Sequence, residues 1–197
     1  MNFIIREYIS ILKEDGELDA LLADLLFEQG YIIKYKPEKG RQYGVDILAE
    51  RKEKDKLKEL RILTVKTGNI TRNIWNGDVN AVKQSLEEIL DVYIPNHLTE
   101  NEQKKPITIT LATNGVISQN LNLDWTSFKK KHIKDNITID FLGIDDISKQ
   151  INENFILDTL LDDDNQSLFR KTLAFIDVSD YEFHHYNQLL DTLFNKR

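Results

Sequence analysis

The chain has 197 residues, no cysteine, and 33 acidic against 26 basic side chains, a net charge of −7. That length suits one domain with a small appendage and supports a real core. The missing cysteines exclude disulfides and thiolate metal sites, leaving oxygen or imidazole donors for any metal. The acidic balance argues against a broadly basic nucleic-acid coat. No apolar run reaches the roughly 18 to 20 residues a membrane span needs, and the first residues lack the layout of a signal peptide, so a cytoplasmic protein with no membrane partner is expected.

In chain order, Asn2 to Lys13 carries a broad apolar stripe at helical spacing, ending near Glu14-Asp15-Gly16. Residues Glu17 to Gly30 form the clearest helix: Leu18, Leu21, Leu22, Leu25 and Leu26 recur at three and four, and Gly30 stands where a helix-terminating glycine belongs. Tyr31 to Tyr35 reads as a strand and Lys36 to Tyr43 as a loop. Val45 to Ala49 and Arg61 to Lys66 read as two strands, with the charged stretch Glu50 to Leu60 extending them as a hairpin. An irregular loop over Thr67 to Val79 is followed by a helix over Asp78 to Tyr93, which Pro95 closes, and by a polar linker over Asn96 to Lys105. Ile107 to Ala112 is a strand running into Thr113-Asn114-Gly115. Val116 to Lys131 is helical in part, Ile137 to Ile144 is the last strand, and Asp145 to Phe155 is a helix.

From Ile151 onward nine acidic side chains stand against four basic ones, so the first 150 residues are close to neutral. These observations divide the chain into an α/β domain over 1–155, a central mixed sheet flanked by helices, and a mostly helical acidic tail over 156–197 that suits docking or oligomerisation. The basic runs Arg51 to Arg61 and Lys129 to Lys134 read first as solvated surfaces and second as phosphate contacts.

Asp46 stands out chemically. An apolar strand has little use for a carboxylate, whose burial costs several kcal/mol unless it is paired, hydrogen-bonded or metal-bound. Read alone, Asp46 could cap the turn after Gly44, Glu17 could be a first-turn carboxylate suited to the helix dipole, and Lys66 could be an ordinary strand-end lysine. Trp75 and Trp125 read as packing residues before base-stacking ones, and the adjacent His184 and His185 point different ways, which disfavours a metal site. There is no Walker loop, nucleophile elbow or Rossmann glycine pattern.

Taken together, Glu17 on a helix ending at Gly30-Tyr31, Gly44-Val45-Asp46, and Thr64-Val65-Lys66 after an apolar strand resemble the PD-(D/E)xK restriction endonuclease-like superfamily. The nearest likeness is to Mrr-like restriction endonucleases and the nuclease domains of bacterial antiphage effectors. Ile107 to Gly115 resembles that family's fourth strand and turn, and Ile137 to Phe155 its closing strand and helix. The resemblance implies a Mg²⁺- or Mn²⁺-dependent endonuclease cutting DNA, serving defence against foreign DNA and acting with a homo-oligomeric or protein partner. It assigns Asp46, the Val65 carbonyl and Glu17 to the metal, and Lys66 to the attacking water or the phosphate charge. Gln84 and Glu50 are accessory candidates. Thr64 departs from the pattern, which places an acidic residue or glutamine there, and a neutral hydroxyl is a weak ligand. Three readings therefore stand: an active enzyme in which Glu17 compensates, a weak site favouring Mn²⁺, or a non-catalytic module of the same fold that binds a protein or nucleic acid. Ribonuclease or branched-DNA resolvase activity on the same scaffold is a further alternative.

Overall fold

The structure is a computed structural model, and it describes residues 2–35, 43–54, 56–77, 81–154, 161–175, 178 and 182–194. The loop read over 36–42, the start of the helix at 78–80 and the boundary at 155–160 lie outside the described residues. Five strands form one sheet in sequence order: β1 (Ile32–Tyr35), β2 (Ile47–Glu53), β3 (Lys56–Lys66), β4 (Ile107–Thr113) and β5 (Ile137–Leu142). The first two pairings are antiparallel and the last two parallel. The tight β2–β3 connection permits the antiparallel pair. The long segments after β3 and β4 carry the helices that parallel neighbours require. The charged stretch after Ala49 does extend both strands into a hairpin, with Glu53 opposite Lys56.

Strand alternation sends successive side chains to opposite faces, and both faces are covered. On one face, Leu60 and Ile62 of β3 and Ile109 and Leu111 of β4 pack under three helices and their neighbours: α3 (Arg72–Asn76), α4 (Val82–Glu88) and α7 (Asn122–His132). Trp75, Trp125 and Phe128 meet edge to face there, at centroid distances of 5.8 and 5.2 Å from Trp75. Both tryptophans are buried, so they serve the core. On the other face, Leu63 and Val65 of β3 and Ala112 of β4 pack under α1 (Asn2–Ser10), α2 (Asp19–Glu28) and α8 (Ile144–Asn154). An Arg6–Asp145 ion pair ties α1 to α8.

Three local expectations change. The first helix stops at Ser10, and a kinked turn over Glu14–Leu18 intervenes before α2, with Asp15 extended and Gly16 at φ +79°. Pro95 does not close its helix. A wide turn over Ile89–Tyr93, with the Ile94 N–H bonded to the Ile89 carbonyl, leads into α5 (Ile94–His97), whose first turn tolerates the missing proline N–H. The linker after it contains α6 (Glu100–Gln103), nucleated by a capping box between Thr99 and Glu102. The tail contains α9 (Asp163–Phe175) and α10 (His184–Phe194), which pack on each other. His185 there stacks on Phe175.

Candidate active site

The site forms at the carboxyl end of β3. Its last residues, Thr64 to Lys66, pair with Leu111 to Thr113 of β4, while the β2 side of the ladder runs out at Ile47 opposite Leu63. The Asp46 N–H still bonds the Leu63 carbonyl at 2.9 Å, and then the chain turns away. The Asp46 carboxylate takes the place of the missing ladder partner, accepting the Val65 N–H at 2.7 Å. Extended backbone directs the N–H and C=O of one residue to the same edge, so the Val65 carbonyl also lies on the Asp46 side.

The turn into β2 is made possible by Gly44, at φ +77°. A Cβ there would lie 2.2 Å from the Ser85 carbonyl of α4, so the backbone approaches more closely than any side chain permits. The Thr64 hydroxyl is buried and donates to the Gly44 carbonyl at 2.5 Å. Thr64 thus does structural work where the family pattern places an acid: it fastens the turn carrying Asp46 to β3.

Lys66 is half-buried, and its ammonium pairs with Glu14 at 2.8 Å. Glu14 lies in the kinked turn between α1 and α2, three residues before Glu17. Glu17 itself is exposed, and its carboxylate accepts the Lys13 N–H at 2.8 Å, closing that turn. The carboxylates that act on Asp46 are Glu14 and Asp15. Burial pushes the Asp46 carboxyl up to about 6, with repulsion from Glu14 and Asp15 adding to the rise and the Val65 N–H and Lys66 opposing it. The result is a carboxylate whose ionised form is under-compensated, the condition a cation relieves.

The two accessory candidates lie elsewhere. Glu50 is four residues along β2, roughly 13 Å at the rise of an extended strand, where it is buried between Lys34 at 3.3 Å and Lys52 at 2.8 Å. Gln84 is exposed on α4, its amide 3.4 Å from Glu88, although its neighbour Ser85 touches Gly44. The structure therefore brings together Asp46, Val65, Lys66 and Thr64, adds Glu14 and Asp15, and leaves Glu17, Glu50 and Gln84 otherwise engaged.

Sequence reasoning passed over Glu14. Its signal was present in the Glu14-Asp15-Gly16 cluster, which read as a helix end, while Glu17 sat on the helix that helical periodicity picks out. Only the left-handed Gly16 shows that the segment doubles back toward β3.

The donor chemistry fits a hard divalent cation: a carboxylate short of compensation, a backbone carbonyl on the same edge, and a second carboxylate on the adjoining turn, all oxygen. Among the described residues no three His, Asp or Glu side chains gather in a metal-holding group. An ion held by one or two carboxylates keeps several waters, as Mg²⁺ commonly does. Among the described residues no helix is long and apolar enough to cross a membrane. Comparison with protein-family models and with curated proteins gives no match.

Proposed function

We propose that this protein is a metal-dependent phosphodiesterase acting on DNA, as the resemblance to the PD-(D/E)xK superfamily implies. The observation that carries the reading is the under-compensated Asp46 carboxylate held by the Val65 N–H beside Lys66. Asp46, the Val65 carbonyl and Glu14 are the groups that would hold Mg²⁺ or Mn²⁺. Such an ion, when bound, lowers the pKa of a coordinated water and neutralises phosphate charge. The Val65 N–H fixes the Asp46 carboxylate in orientation. Lys66, released from Glu14, offers its ammonium to the charge that grows on the phosphate as the water oxygen bonds to phosphorus and the ester oxygen leaves. With a metal bound, Glu14 would serve as its second carboxylate in place of pairing with Lys66, the compensating role that the family resemblance assigned to Glu17.

A nearly neutral domain has little steering charge of its own, which favours a homo-oligomer or protein partner for holding DNA; the acidic tail suits that docking. We place the protein in the cytoplasm, where a chain without cysteine loses nothing to reduction, and a role in foreign-DNA defence follows from the family resemblance alone.

The test is cleavage of duplex DNA with Mg²⁺ or Mn²⁺, with branched DNA and RNA alongside. Wild type is expected to cut. Asp46→Ala and Lys66→Ala should lose at least about 100-fold, the scale of deleting one preorganised charge-stabilising group. Undiminished cleavage in both variants would remove the assignment.

A second reading, a non-catalytic binding module, draws on a specific observation: the Thr64 hydroxyl and the Lys66 ammonium are both committed to protein partners. It predicts no Mn²⁺ binding at Asp46, and a calorimetric titration of wild type against Asp46→Ala separates the two.

A further inference from the structure

We propose that Asn114 is a positioning residue for this site, its single amide setting where Glu14 and Lys66 meet; the inference rests on the nuclease reading above for its functional consequence only. Asn114 follows β4 and is buried, and its side chain joins two distant chain segments. Its Nδ2 donates toward the carbonyls of Ile9, Ser10 and Leu12, at 3.2, 3.3 and 3.0 Å. Ile9 and Ser10 close α1 and Leu12 lies two residues beyond it, where the carbonyls of a helix end run out of intrahelical donors, so the amide both terminates the helix and fixes the segment that leaves it. The Oδ1 accepts the Gly68 N–H at 2.6 Å, just beyond β3.

The spacing explains the consequence. Leu12 lies two residues before Glu14, and Gly68 lies two residues after Lys66. Two residues of chain reach about 7 Å at most, so one amide holds both segments within two residues of the ion pair at 2.8 Å. The neighbours of Asn114 stiffen the same junction. Thr113 Oγ1 donates to the Gly68 carbonyl at 2.6 Å, and a Cβ on Gly115 would lie 2.4 Å from that carbonyl, so the two turns are in direct backbone contact. The clamp therefore locates Glu14 by way of α1 and Lys66 by way of the turn after β3. Loss of it leaves β2, β3 and Asp46 in place and frees the Glu14 segment.

The test reads the ion pair directly. In a lysine-ammonium NMR spectrum of the full chain, Lys66 should give a hydrogen-bonded, slowly exchanging signal that disappears in Glu14→Gln. The same signal should disappear in Asn114→Ala while backbone amides of β2 and β3 keep their positions. Asn114→Ser retains one donor; it serves if the alanine variant does not fold, and it should weaken the signal likewise. Retention of the wild-type signal in a folded Asn114 variant would overturn the proposal. Mn²⁺ affinity supplies the functional readout: Asn114→Ala is expected to weaken it about tenfold, as changes beside a ligand commonly do, and to add nothing in a Glu14→Gln background. Additive losses would overturn the proposal, because Asn114 would then not act through Glu14. Wild type binding no Mn²⁺ would defeat the nuclease reading while the NMR comparison still decides the clamp.

Discussion

The two ends of β3 both gather acids and bases, and they treat charge in opposite ways. At the amino end and along the hairpin, described acids are met by bases: Glu53 by Lys58 at 2.7 Å, Glu59 by Arg51 at 2.6 Å, and Glu102 and Glu50 by Lys34 at 2.7 and 3.3 Å. The hydrogen bond to Glu102 raises the Lys34 pKa, favouring its charged form. At the carboxyl end, burial raises Asp46 to about 6, which disfavours its charged form. One lysine, Lys66, stands among Asp46, Glu14 and Asp15. A hairpin that satisfies its own charges is structural. An end that leaves a carboxylate under-compensated is where the proposed cation would gain most, so on the proposed reading the same strand carries a scaffold and a site.

Breaking the carboxyl end gives the largest expected effect. Asp46→Asn keeps an oxygen able to accept the Val65 N–H and removes the charge, so metal-dependent cleavage should vanish while the fold persists, as measured by turnover and circular dichroism on one sample.

Next in size is Gly44→Ala, which combines a left-handed backbone with a Cβ 2.2 Å from the Ser85 carbonyl. A cost of about 2 to 4 kcal/mol is expected from the conformational strain and the overpacking together, read as a lower midpoint in urea. An unchanged midpoint would mean that α4 does not press on the Asp46 turn.

The third effect is a pH dependence with a definite sign. Burial pushes the folded Asp46 carboxyl from its ordinary 3.8 up to about 6. The folded state therefore binds the proton more tightly, and the stability this contributes is complete below about pH 4 and lost as pH rises through 6. The span is of order 2 kcal/mol after allowing for solvent access at the site. Wild type should thus lose stability relative to Asp46→Asn between pH 4 and 7, and the variant should be the more stable of the two at pH 7. Parallel stability curves would mean that Asp46 is not held as described.

The smallest effect belongs to the other end. Glu53→Gln, which removes the partner of Lys58 at the exposed hairpin tip, should leave both midpoint and cleavage unchanged, because solvent screens such pairs. A measurable loss of activity there would erase the contrast between the two ends.

Much of the architecture was legible in the chain because it follows from periodicity. Alternating apolar residues announced β3, β4 and β5, the leucine spacing before Gly30 announced α2, and the change to acidic composition announced the helical tail. Asp46 was legible for a different reason: a carboxylate between Val45 and Ile47 is costly wherever the strand goes. Glu14 and Asn114 were not legible. The first depends on a left-handed turn at Gly16 that no period encodes, and the second on an amide that closes contacts with α1 more than a hundred residues away in sequence. Thr64 was visible as a departure from the family pattern, but its bond to the Gly44 carbonyl needed the fold. Pro95 misled because a wide turn before it absorbs the missing donor.

The most direct measurement is the position of Mn²⁺ in crystals of the full chain, located by anomalous scattering at saturating metal. The account predicts a peak bound by the Asp46 carboxylate and the Val65 carbonyl, with Glu14 drawn from Lys66 toward the ion. No peak at Asp46, or one coordinated by other residues while Glu14 still holds Lys66, would contradict it.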